Sequence, residues 1–214
     1  MLFYDIVPEV GRDYNSKAIF ENYKFLTSPN LMDKLFPVNT FEDIHPQYRE
    51  TPIGLLLEFH NLNRQLVPYE KAQLLIGMCM DNRKHLHIPD NFAFIIRSGG
   101  ANLRYSEFKV SYAIAVGQVS HIALIGHNNC GMVNLFSQQD KFIEGLVTTA
   151  GWTEERAKEH FTHFAPMFEI SNETDFILSE TNRLRQKYPK IMIAPLFYKV
   201  DDNKLYIIEE HGII

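Results

Sequence analysis

The chain has 214 residues, 45% of them hydrophobic and 22% charged, which is ordinary for one globular domain with a real core. A formal net charge of -5 with no cluster of Lys or Arg excludes an electrostatic footprint for nucleic acid. No apolar run approaches the roughly 18 to 20 residues of a membrane span, and Met1-Leu2-Phe3-Tyr4-Asp5 lacks the basic region and apolar stretch of a signal peptide, so a soluble, cytoplasmic protein is expected.

Residues 1–50 carry scattered aromatics and prolines without a clean core period, with helical stretches over 16–26 and 28–35. They are expected to form a helical extension or dimerisation arm, ahead of an α/β domain over 51–214. From Thr51-Pro52 onward, the spacing of Ile53, Leu55, Leu56, Phe59, Leu62 and Leu66 predicts a helix with Pro52 in its first turn. Short apolar runs at 73–78, 92–96 and 121–125 read as buried strands. Between the last two, 106–116 has a helical apolar face with Ser106 as its cap. A polar, helix-prone stretch covers 138–168, where Thr153 caps a first turn containing Glu154 and Glu155. Trp152, His160 and His163 there are expected to pack or face solvent, and His60 is read as a satisfied core residue. A long helix over 173–188 and strands over 191–200 and 204–208, joined by a turn at Asp201-Asp202-Asn203, complete the chain. This alternation predicts an α/β fold with a mainly parallel central sheet flanked by helices.

Both cysteines follow apolar strands. Cys79 opens Cys79-Met80-Asp81-Asn82-Arg83, and Cys130 lies in His127-Asn128-Asn129-Cys130-Gly131. Two cysteines in so long a chain make no disulfide framework. With His127 they supply two thiolates and an imidazole, the kind of set that holds a catalytic zinc with its fourth position open. Strand ends in an open α/β sheet share one rim, so the two motifs are expected to meet there, with Gly126 and Gly131 allowing the chain to turn. Ser98-Gly99-Gly100, at the end of another strand, joins the same rim. Inert core thiols would leave His127 and the Asp81-Arg83 pair unexplained, whereas a structural ion pair between Asp81 and Arg83 is compatible with a metal site.

In this order, Cys79-Asp81-Arg83, the strand ending in Arg97 before Ser98-Gly99-Gly100, and His127-Cys130-Gly131 resemble the pattern of the β-class carbonic anhydrases over about 73–133. The resemblance implies Zn²⁺ held by Cys79, His127 and Cys130, and reversible hydration of CO2 to bicarbonate by a zinc-bound hydroxide. It implies that Asp81 orients that hydroxide while Arg83 keeps Asp81 ionised, or that Asp81 closes the site as a fourth ligand. Phe94, Ser98, Gly99 and Gly100 correspond to the substrate pocket, and the protein is expected to be a homodimer or a multiple of one. Met80 and Asn82 are larger than the usual residues, and Ser98-Gly99-Gly100-Ala101-Asn102 departs from the common loop. Hydrolysis of COS or CS2 and a non-catalytic zinc protein are the alternatives. His85 and His87 follow the first motif but are read as solvated.

Overall fold

The structure is a computed structural model and describes residues 35–210. The helix expected over 16–26 lies outside these residues, as does all but the last residue of the one over 28–35. That residue, Leu35, opens a strand: β1 (Leu35–Pro37) pairs antiparallel with β6 (Lys204–Ile208), whose edge gives its backbone hydrogen-bond partners.

Helix α1 (Pro52–Asn61) starts where the Thr51 hydroxyl accepts from the N–H groups of Ile53 and Gly54, and it buries Ile53, Leu56, Leu57 and Phe59. Leu66 lies beyond its end and is exposed. His60, near that end, accepts the His87 N–H at Nδ1 but keeps a buried Nε2 without a hydrogen-bond partner among the described residues, so it is only half satisfied there. Helix α2 (Glu107–Ala115) needs no cap from the Ser106 side chain, because a 3-10 turn over Arg104–Ser106 leads directly into it. The stretch 138–168 divides into α3 (Gln139–Ala150) and α4 (Glu154–Phe168). Gly151 ends the first at φ 70, and Thr153 caps the second by accepting the Arg156 N–H. Trp152, Phe142 and Phe164 all pack around His160 on this hairpin, and His163 packs on Phe164. Helix α5 (Glu173–Lys187) is capped by the Asn172 side chain. No helix among the described residues is long and apolar enough to cross a membrane.

Four neighbouring strands of the sheet are parallel: β2 (Leu74–Cys79), β3 (Ala93–Ser98), β4 (His121–His127) and β5 (Met192–Lys199). The order is β1-β6-β5-β4-β2-β3, with β6 antiparallel to both neighbours and β3 at an edge. All six residues of β2 are buried, as a strand covered on both faces requires. Alternate side chains feed two cores. Leu74, Ile76 and Met78 pack with Val38, Ile44, Tyr48 and the apolar face of α1. Leu75, Ile122 and Leu124 pack with Leu103, with Val110 of α2 and with Ile177 and Leu184 of α5. A Cβ at Gly126 would meet Ile177 Cγ1 at 2.6 Å, so the missing side chain lets α5 lie against the sheet next to His127.

Candidate metal centre

Cys79 is the last residue of β2 and His127 the last of β4, and these strands are parallel neighbours with Met78 opposite Ile125. Both side chains therefore leave the sheet at the same edge, the C-terminal rim of the strands. Cys130 returns to that rim through a turn made by Asn129, at φ 56. The expectation that Gly126 and Gly131 make this turn is corrected: neither has a positive φ, and the short amide side chain of asparagine tolerates the left-handed region. Gly126 is required by packing instead.

The Cys79 and Cys130 sulfurs are 3.9 Å apart, and with a His127 ring nitrogen all three ligand atoms lie within 4.8 Å of one another. Both cysteines are free thiols, since a disulfide needs about 2.05 Å. A tetrahedral ion bound at about 2.3 Å to each sulfur would hold them roughly 3.8 Å apart, close to the separation found. His127 is buried, and its Nδ1 donates to the Asn128 carbonyl at 2.9 Å. That bond puts the proton on Nδ1 and leaves Nε2 with a bare lone pair, buried and without a hydrogen-bond partner among the described residues. An orphaned imidazole lone pair beside two buried thiols fits a metal ion.

The hydrogen bond between the two thiols pulls Cys79 down, against the opposing cost of burial, and pushes Cys130 up. A bound cation would displace the thiol protons. Ile170, Met132, Val133 and Phe176 surround the sulfurs with apolar surface.

Asp81 stands beside the cluster, its Oδ2 4.0 Å from His127 Nε2. Arg83 donates from its backbone N–H at 2.9 Å and from Nε at 3.0 Å to Oδ1, and from Nη2 at 2.6 Å to Oδ2. These bonds, more than any other influence, hold the Asp81 carboxyl well below the usual range, with burial acting against them. Arg83 Nη2 also donates to the Asn129 carbonyl, joining the two motifs. Around them stand groups to which the sequence assigned no role. Arg97 donates to the carbonyls of Cys79, Asp81 and Lys84, clamping the 79–84 segment. Glu173, at the start of α5, accepts the Cys130 N–H. Lys84 is fully buried, with Nζ 3.8 Å from Asp81 Oδ1. Its burial has a trace in the sequence: Lys84, Leu86 and Ile88 alternate with the exposed Arg83, His85 and His87.

Ser98 lies opposite Cys79, and the Ser98 carbonyl accepts the Met80 N–H, so the loop after β3 borders the cluster. Gly99 and Gly100 are buried, Gly100 at φ 61 and Ala101 at φ 62. The Glu180 carboxylate of α5 accepts the Leu103 N–H just beyond this loop. Phe94 stands four residues before Ser98, about 13 Å along the strand. Its ring lies near Gly117 and is partly exposed, so a single chain does not bring it to the cluster.

No curated protein matches the chain. Among solved structures it is similar to β-carbonic anhydrase isoform I of Trichomonas vaginalis, at 20% identity and a TM-score of 0.54 over 69% of this chain and 90% of that one. It is similar to a carbonic anhydrase from Glaciozyma antarctica at 20% identity and a TM-score of 0.50, over 77% of this chain and 95% of that one. An apo carbon disulfide hydrolase matches at 20% identity and a TM-score of 0.48, over 69% of this chain and 88% of that one. The first two likenesses concern the fold alone. A family model described as carbonic anhydrase matches residues 76–207, from β2 to β6 and across the whole Cys79, His127 and Cys130 cluster, and the chain belongs to the β-carbonic anhydrase family.

Proposed function

We propose that the protein catalyses the reversible hydration of CO2 to bicarbonate and a proton, with zinc held by Cys79, His127 and Cys130. The observation that carries this reading is the orphaned Nε2 of His127 within ligand reach of two free thiols and 4.0 Å from a carboxylate held ionised. Bound there, zinc would supply a Lewis acid that makes a water nucleophilic near neutral pH. The chain's own residues do the rest. Asp81 presents Oδ2 as a hydrogen-bond acceptor on the open side of the cluster and so orients the nucleophile. Arg83 keeps that carboxylate ionised and fixes its plane through paired N–H bonds. The Ser98, Gly99 and Gly100 loop forms the substrate rim, and the apolar surface of Ile170, Met132 and Val133 suits an uncharged gas better than water. Protons leave through the exposed side of the site at Met80 and Arg83.

The protein pairs with a second copy of itself. Strand β3 is a sheet edge that exposes Phe94 and Ile95, and Phe108, Tyr112 and Val116 form an exposed stripe at i, i+4 and i+8 on and just beyond α2. The Phe94 ring near Gly117 joins the two surfaces.

Stopped-flow CO2 hydration by the zinc-loaded protein tests the activity. Turnover that disappears in Cys79→Ala and falls at least ~100-fold in Asp81→Asn is the expected result. Turnover of COS or CS2 without CO2 hydration would move the substrate and keep the site; inactivity on all three with zinc bound would make the protein a non-catalytic relative.

A further inference from the structure

We propose that Lys84 is a positioning residue that acts through Asp81, holding its carboxylate off the metal position so that the fourth coordination site stays open. The proposal rests on the reading of the cluster as a metal site. Asp81 is placed between two pulls. Its Oδ2 faces His127 Nε2 at 4.0 Å, the atom that would bind the ion, while its Oδ1 faces Lys84 Nζ at 3.8 Å. A short swing of the side chain toward the cation would make it a ligand and close the site.

Two cations oppose that swing, and they differ in kind. Arg83 makes the better hydrogen bonds, but its side chain is 44% exposed, so water and salt screen its charge. Lys84 is 0% exposed, so its charge is screened less. Its backbone is fixed too, since its carbonyl accepts from Arg97 Nη2 at 3.1 Å. Among the described residues Lys84 Nζ has no hydrogen-bond partner, and an ammonium buried in that state is costly unless nearby negative charge compensates it. Burial works against its charge, the Cys79 sulfur and then the Asp81 carboxylate favour it, and Arg97 is the opposing like charge. Lys84 is thus committed to the metal site by its surroundings, and among the described residues Asp81 is the one carboxylate within ion-pair distance of it.

The test compares wild type, Lys84→Met, Lys84→Gln, Asp81→Asn and the double variant Lys84→Met/Asp81→Asn, each loaded with zinc or with cobalt(II). Lys84→Met keeps the length of the side chain and removes its charge; Lys84→Gln repeats the test with a polar replacement. Chelator competition is expected to show zinc binding at least ~10-fold tighter in Lys84→Met, because Asp81 is released to become a ligand and a buried positive charge is gone. The cobalt visible bands are expected to change with the fourth ligand, and this change is expected to vanish in the Asp81→Asn background, where only the smaller affinity gain from the lost charge remains. Unchanged cobalt bands in both Lys84 variants overturn the proposal, as does a change in the bands that persists without the Asp81 carboxylate. A wild-type protein that fails to hydrate CO2 defeats the proposed activity alone, since the cobalt bands still decide the role of Lys84.

Discussion

Replacing Glu180 with Ala should loosen the rim of the site from a distance, and its cost follows from the structure. Glu180 is fully buried on α5 and accepts four hydrogen bonds: Leu103 N at 3.3 Å, Arg104 Nε at 3.3 Å, and Arg183 Nε and Nη2 at 2.8 Å each. Losing the acceptor strands the buried Leu103 N–H, at about 1–2 kcal/mol. Arg183 loses a two-pronged partner but keeps Glu107, which limits that loss to about 1 kcal/mol. Arg104 is half exposed, so its pair adds little. The cavity left by the removed side chain adds about 1 kcal/mol. The sum of about 3–4 kcal/mol agrees with the usual cost of removing one partner from a buried ion pair. Urea denaturation of the metal-free protein at fixed chain concentration measures it, and a slope of about 2–3 kcal/mol per molar predicts a midpoint lower by more than ~1 M. Glu180→Gln keeps an acceptor for Leu103 and should lose about half as much. Both variants falling within ~1 kcal/mol of wild type would show that this carboxylate does not anchor the loop after β3.

Burial pushes the His60 imidazole down to about 4 from its ordinary 6.5. The unfolded chain then takes up a proton that the native state refuses, so stability present above pH 6.5 declines as the pH falls toward 4, by roughly 3 kcal/mol in all. A His60→Gln protein with the same acid profile as wild type in urea titrations would refute this origin. Phe108 is 83% exposed at the start of the apolar stripe on α2, and Phe108→Glu is expected to convert a dimer into a 24.9 kDa monomer by light scattering; a wild-type protein already at that mass removes the proposed interface.

The sequence by itself determined the order and type of the elements from α1 onward and the identity of the three candidate ligands, while β1 fell where a helix was expected. Apolar strand runs that end at Cys79 and His127 admit few arrangements, because parallel strands covered on both faces bring their C-terminal ends to one rim. Side-chain alternation then sends Leu74 and Leu75 to opposite cores without further information. Only the tertiary structure decided how the second motif turns and which charges surround the first. Asn129 rather than a glycine takes the left-handed conformation, since Gly126 is needed for the close approach of Ile177. The alternation around Lys84 hints at its burial, but the groups that fix its loop come from elsewhere, since β3 delivers Arg97 to the carbonyls of Cys79, Asp81 and Lys84. Glu180 lies 77 residues from the Leu103 N–H that it accepts. Backbone periodicity and strand ends are local properties and can be read along the chain. The partners of a buried charge come from distant elements, and packing alone selects them.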